Sequence, residues 1–83
     1  MDLEQRLQQV NDEQSFLDFV QTLLDDRRQL QHRDSWQNHS IEDFLDGAQA
    51  WAEATGMGAT QGLAQASPWR RFAVFLYCGK IYE

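Results

Sequence analysis

The sequence predicts an all-α fold, a single small domain built as a three-to-four-helix bundle. Three observations carry the prediction. Apolar residues recur at three- and four-residue intervals through most of the chain, and helix-starting side chains precede each such stretch. Nowhere do β-branched and aromatic residues alternate with polar ones over a useful length, and no Asn-Gly or Asp-Gly hairpin turn occurs. The 83 residues include one proline and are 42 % hydrophobic at a formal charge of −6, too apolar for a disordered chain. A chain of this length buries only about 60–65 % of the surface that its unfolded form exposes, so its stability margin is thin.

The elements follow in order. Leu3, Leu7 and Val10 mark a short leading helix within residues 1–10. Asn11 is placed as the next N-cap, with Gln14 three residues on as its capping-box partner. From there Phe16, Phe19, Val20, Leu23, Leu24 and Leu30 form an apolar stripe that predicts a helix over 12–31. Asp12 and Glu13 near its start and Arg27, Arg28 and Arg33 near its end suit the helix dipole. The segment "HRDSWQNHS" interrupts the pattern. Ser40 caps the next helix, 41–54, with Asp43 as its capping acid and Ile41, Phe44, Leu45, Ala48, Trp51 and Ala52 at helical spacing. Gly56 ends it in a left-handed conformation.

Residues 56–66, "GMGATQGLAQA", hold three of the five glycines and are expected to form a flexible loop. Ser67-Pro68 then starts the last helix, 68–78, which Gly79 is expected to stop. Phe72, Ala73, Phe75 and Leu76 make its inner face. The expected core is Phe16, Phe19, Val20, Leu23, Phe44, Leu45, Ala48, Trp51, Phe72, Phe75 and Leu76, with Ile81 and Tyr82 lying back on the body.

Composition narrows the function. Cys78 is the sole cysteine, so no disulfide framework exists, and a lone thiol fits the cytoplasm. The opening residues lack a basic segment followed by an apolar one, so no signal peptide is expected, and the apolar runs are too short for a membrane span. Residues 1–53 carry 12 acids against 4 arginines, a balance of −8, while residues 54–83 carry 3 basic residues against 1 acid, a balance of +2. That acidity argues against nucleic-acid binding, which needs a basic face to displace phosphate counterions.

Two segments, 36–53 and 68–83, give the chain a resemblance. Trp36, Asn38 and Ser40 precede a Phe-Leu helix that contains Trp51. After a loop come Pro68-Trp69-Arg70, Phe72 and Leu76, then Lys80-Ile81-Tyr82-Glu83. In this the chain resembles, over roughly residues 10–83, a family of small bacterial proteins known only as a domain of unknown function. The resemblance implies a stand-alone bacterial domain and supplies no active site. It also implies small residues at the positions of Cys78 and Gly79, which argues against catalysis by Cys78.

The residues that could carry chemistry have plainer readings. Cys78 with His32 or His39 has the makings of a nucleophile and base, yet no nucleophile elbow surrounds it and a buried cysteine is an ordinary small hydrophobe. His32, His39 and Asp34 lack the tight spacings of a metal site, so no metal and no cofactor is expected. Glu42, Asp46 and Glu53 line one side of the second long helix, and Asp18, Asp25 and Asp26 decorate the first. Acidic ridges suit a basic partner, although a solvated helix face has the same pattern. Arg70 and Arg71 oppose the dipole of the helix that they open, so each needs a compensating group. Glu42, Asp43 and Asp46 are the intramolecular candidates, and an external anion is the functional one. Trp51 lies on the core face, Trp69 is expected to be half exposed, and Trp36 either plugs the core or anchors a partner. Lys80 and Glu83 are expected to bridge to the body.

The reading that emerges is a non-enzymatic protein-interaction module, immunity- or antitoxin-like in its concrete version. Its candidate partner-binding residues are Trp36, Asn38, Glu42, Asp46, Trp69, Arg70 and Arg71. The partner is expected to be another protein, and a thin core with surplus aromatics also fits a homodimer. A small-molecule or peptide site under the 56–66 loop, with Arg70 and Arg71 orienting an anion, is the alternative. A small hydrolase using Cys78 or paired acids ranks last.

Overall fold

A computed structural model describes residues 2–82. Four α-helices follow one another: α1 (Leu3–Gln8), α2 (Glu13–Arg28), α3 (Ile41–Thr55) and α4 (Pro68–Ile81). Short 3-10 turns over Leu30–Ser35 and Ala59–Gln61 interrupt the two longer connections, and no strand occurs among the described residues. The fold is the expected all-α domain.

Local chemistry sets most helix starts. Asp2 caps α1 in a reciprocal box with Gln5. Ser40 caps α3 by accepting from the Asp43 N–H, and Ser67 caps α4 ahead of Pro68. The start of α2 departs from expectation by one residue. Asp12, not Asn11, is the cap, and Ser15, not Gln14, completes the box. The Asp12 carboxylate accepts from the Ser15 N–H at 2.8 Å, where a negative charge also meets the positive end of the helix dipole. Gln14 instead donates to Asp18.

The ends of two helices also differ. Helix α2 stops at Arg28 rather than near residue 31, and Leu30 is 73 % exposed instead of joining the stripe. The reason is Trp36. Its indole N–H donates to Asp26 at 2.8 Å, ten residues earlier in the chain. A continuous helix would carry Trp36 about 15 Å away from Asp26, so the chain must leave the helix and fold back. Helix α4 runs through Gly79 to Ile81. Gly79 serves packing rather than termination: a Cβ there would lie 2.7 Å from two ring carbons of Phe44. Small size lets α3 and α4 approach closely.

Helices α2 and α3 pack on α4 rather than on each other, which places the last helix in the middle of the molecule. Helix α2 runs alongside α4 in the same direction, with Phe16 near Trp69 at one end and Asp26 near Lys80 at the other. Helix α3 runs antiparallel to α4, with Phe44 against Gly79 and Gly56 against Arg71. Helix α1 crosses back over α2 and α4. The result is a slab of 36 × 26 × 15 Å.

The central core comprises Leu3, Val10, Phe19, Leu23, Trp36 and Ala73, with Phe16, Phe44, Trp69, Leu76 and Tyr77 partly buried against it. Ala48 and Trp51 are also buried, and Val20 and Phe75 are half-buried. Two expected core residues are not in it. Leu45 is 53 % exposed and Phe72 is 49 % exposed. On α4, Trp69, Ala73 and Lys80 turn toward α2, while Gly79 turns toward α3; helical spacing sets Phe72 between these two faces, over the gap where α2 and α3 fail to meet. Ile81 is likewise exposed, whereas Tyr82 is half-buried.

The 56–66 segment is tied to the helices at several points. Gln61 accepts from the Trp51 indole, and Thr55 Oγ1 accepts from the Gly58 N–H while donating to the Trp51 carbonyl. Gly56 and Met57 both take a left-handed conformation, at φ 60° and 58°.

Candidate functional site

Polar chemistry gathers first around Asp26. Its carboxylate accepts from Lys80 Nζ at 2.9 Å and from the Trp36 indole, both on Oδ2, and lies 3.1 Å from His32 Nδ1 on Oδ1. Lys80 is only 8 % exposed and Trp36 only 6 %. Burial alone would raise the Asp26 carboxyl. The hydrogen bonds from Lys80 and Trp36, with the charges of Lys80 and His32, outweigh it and hold the group below its ordinary range. The guanidinium of Arg27 lies 5.2 Å from the centre of the Trp36 ring, and Phe44 stacks on that ring at 6.1 Å. Trp36 is therefore a plug, joined on every side to the molecule itself. No local pattern signals the Asp26–Lys80 pair, because its partners are 54 residues apart.

Asn38 is used in the same way. Its amide donates to the carbonyls of Gly79 and Tyr82, at 2.9 and 2.8 Å, and the Gln37 N–H donates to the Lys80 carbonyl. These contacts satisfy carbonyl groups that the end of α4 would leave bare. Gly47 faces the same carbonyl of Tyr82, with no room for a Cβ. The expected bridge from Glu83 lies outside the described residues.

The two arginines diverge. Arg70 donates to the Gln8 carbonyl at the end of α1, and Arg71 donates to the Gly56 and Met57 carbonyls at the end of α3. Neither meets Glu42, Asp43 or Asp46 in an ion pair. Each cation sits instead against the negative end of another helix, which offsets its poor placement at the start of its own. They do not converge on one point. A groove of about 460 Å³ beside the 56–66 segment is lined by Val10, Asn11, Leu63, Ser67 and Arg70. Trp69 is half-buried against Phe16, with ring centres 5.6 Å apart.

Cys78 is buried, and burial pushes its thiol up to about 11, so at neutral pH it is a protonated small hydrophobe. No group of three His, Cys, Asp or Glu side chains is gathered as metal ligands would be, among the described residues. Glu42 and Asp46 are exposed on α3 and make no side-chain hydrogen bond or ion pair with another described residue.

What is left over on the surface is apolar. Leu17 and Leu24 lie two turns apart on α2, Ile41 and Leu45 one turn apart on α3, and Phe72 on α4, all between 41 % and 70 % exposed. Arg27, one turn beyond Leu24, reaches the His39 carbonyl and shares a small hollow with Trp36, Ile41 and Phe44. Helical spacing puts Leu17 and Leu24 on the flank of α2 next to Arg27, Leu45 on the flank of α3 next to Ile41, and Phe72 and Leu76 on the side of α4 between Trp69 and Gly79, so that these residues border one shallow apolar cleft between α2 and α3, with the Trp36 hollow at one end. Sequence reasoning put Leu45 and Phe72 in the core because a helical period cannot tell a packed stripe from an uncovered one.

A family's sequence model matches residues 12–83. The chain belongs to DUF7660, a family of unknown function. No curated protein and no solved structure matches the chain. Within the DUF7660 match lie α2, α3, α4 and the whole apolar cleft; α1 lies ahead of it.

Proposed function

We propose that this DUF7660 domain is a protein-interaction module without catalysis of its own, and that it binds through the cleft between α2 and α3. The observation that carries the reading is the gathering of Leu17, Leu24, Ile41, Leu45 and Phe72 on one side of a thin slab. Contiguous exposed apolar surface on a small domain marks a binding face more often than chance. Glu42 beside Ile41 favours a partner that brings apolar side chains together with a cation. An immunity- or antitoxin-like role in a bacterial cytoplasm is the concrete version, supported by small size, acidity and the lone thiol. The anion-binding alternative has less support, since Arg70 and Arg71 are bonded to separate carbonyl groups.

The test is partner capture by the wild-type chain against Phe72→Glu and Leu45→Glu, with Gln65→Glu in the exposed loop as control. Loss of the captured protein in the first two, with retention in the control and unchanged helical circular dichroism, is expected. Equal capture by all four would refute the assignment of the face.

A further inference from the structure

We propose that the occupant of the cleft is a second copy of this chain, joined face to face about a two-fold axis parallel to the helices; this rests on the reading of the cleft as a binding face. Such an axis lays α2 of one protomer over α3 of its partner, and α4 over α4. The two edges of the cleft are complementary in that arrangement. On α2 the rim continues from Leu24 to Arg28, one turn on. On α3 the rim holds Glu42, one turn before Leu45. Arg28 and Glu42 are both exposed, and neither side chain bonds any other described residue. They also stand at the same height along the axis, because Arg27 reaches His39, two residues before α3 begins. The two-fold then sets Arg28 of each copy against Glu42 of the other, twice, at the end of the interface near Lys80, while Phe72 meets Phe72 about two turns further along the axis.

Size agrees with charge. The broad face of the slab measures 36 × 26 Å, enough for the roughly 800 Å² per partner that a stable interface buries. Stacking two slabs of 15 Å thickness would also bury apolar surface that so small a domain leaves wet. An arbitrary basic partner would supply the cation that Glu42 faces, but it would leave Arg28 without an acid. A second copy supplies both.

Sedimentation velocity from 1 to 500 µM tests the proposal. The wild-type mass should double with concentration. Phe72→Glu should stay monomeric with an unchanged helical spectrum. Arg28→Glu and Glu42→Arg should each weaken the dimer by roughly tenfold, since two ion pairs become two repulsions, and the double charge swap should restore it. A wild-type chain that is monomeric at 500 µM overturns the proposal, as do single reversals without effect or a double swap that fails to rescue. A monomeric wild type whose capture of another protein is still abolished by Phe72→Glu overturns the second copy and leaves the binding face standing. A monomer whose capture is indifferent to Phe72→Glu overturns both.

Discussion

Replacing Asp26 with alanine should lower the stability of this domain by about 3 kcal/mol. The change strands two groups at once. The Lys80 ammonium, with its side chain only 10 % exposed, loses its counter-ion, and the Trp36 indole N–H loses its acceptor. Breaking a buried ion pair by removing one partner costs about 3–5 kcal/mol, and an unsatisfied buried donor about 1–3 kcal/mol. The two do not add, because they share one oxygen atom, and the Asp26 side chain retains 16 % exposure, which draws the value toward the lower end. A domain of this length has a total stability of roughly 4–12 kcal/mol, so the loss takes a large part of it. With each kcal/mol worth about 4–8 °C at this size, Tm should fall by roughly 12–24 °C. Thermal and urea unfolding followed by circular dichroism measure it directly. The companion variant Asp26→Leu with Lys80→Met removes both charges and should recover the part of the loss that comes from the stranded ammonium, since an apolar pair of similar volume does as well as a buried ion pair, while the Trp36 N–H stays without its acceptor. A single variant within about 1 kcal/mol of wild type would refute the account of Asp26 as the tie between α2, α4 and the Trp36 segment.

Other expectations follow from the same geometry. The Asp26 and Asp12 carboxyls both lie below their ordinary value of 3.8, Asp12 through its bonds to Ser15, so the unfolded chain takes up protons first as the pH falls. Their stabilisation is fully present above that value and lost as pH drops through the folded-state values; melting profiles from pH 7 to pH 2 that stay flat would contradict this. Cys78, raised from 9.0 to about 11, should hold roughly a hundredfold less thiolate than the unfolded chain at pH 8 and react correspondingly slowly with a disulfide reagent until denatured. Gly79→Ala should destabilise by about 1–3 kcal/mol in urea titration, although alanine is the better helix former by about 1 kcal/mol, because its Cβ meets the Phe44 ring. A stabilised Gly79→Ala would show that α3 and α4 do not touch there.

Much of the fold could be read from local chemistry. Ser40, Ser67-Pro68 and Gly56 punctuate the chain where expected, because caps and left-handed turns act over three or four residues. The errors have a common source in distance along the chain. Gly79 looks like a stop until Phe44, 35 residues away, is seen against it. Leu30 looks like part of the α2 stripe until the return of Trp36 to Asp26 ends the helix. Lys80 reads as a terminal charge, and only the folded chain brings it to Asp26. Trp36, Asn38, Arg70 and Arg71 stand out in the sequence, and in the folded chain each also closes a helix end or a core gap elsewhere in the molecule. The cleft was not legible at all, since its residues share the period of a buried stripe.

The central position of α4 has a consequence for how the molecule comes into being. A growing polypeptide makes α2 and α3 long before residues 68–81, and those two helices have little to hold each other by. Phe16 and Phe44 therefore lack their α4 partners, Trp69 and Gly79, until the keystone is synthesised. Folding becomes a single late event, slowed by the closure of long loops rather than assembled piece by piece behind the ribosome.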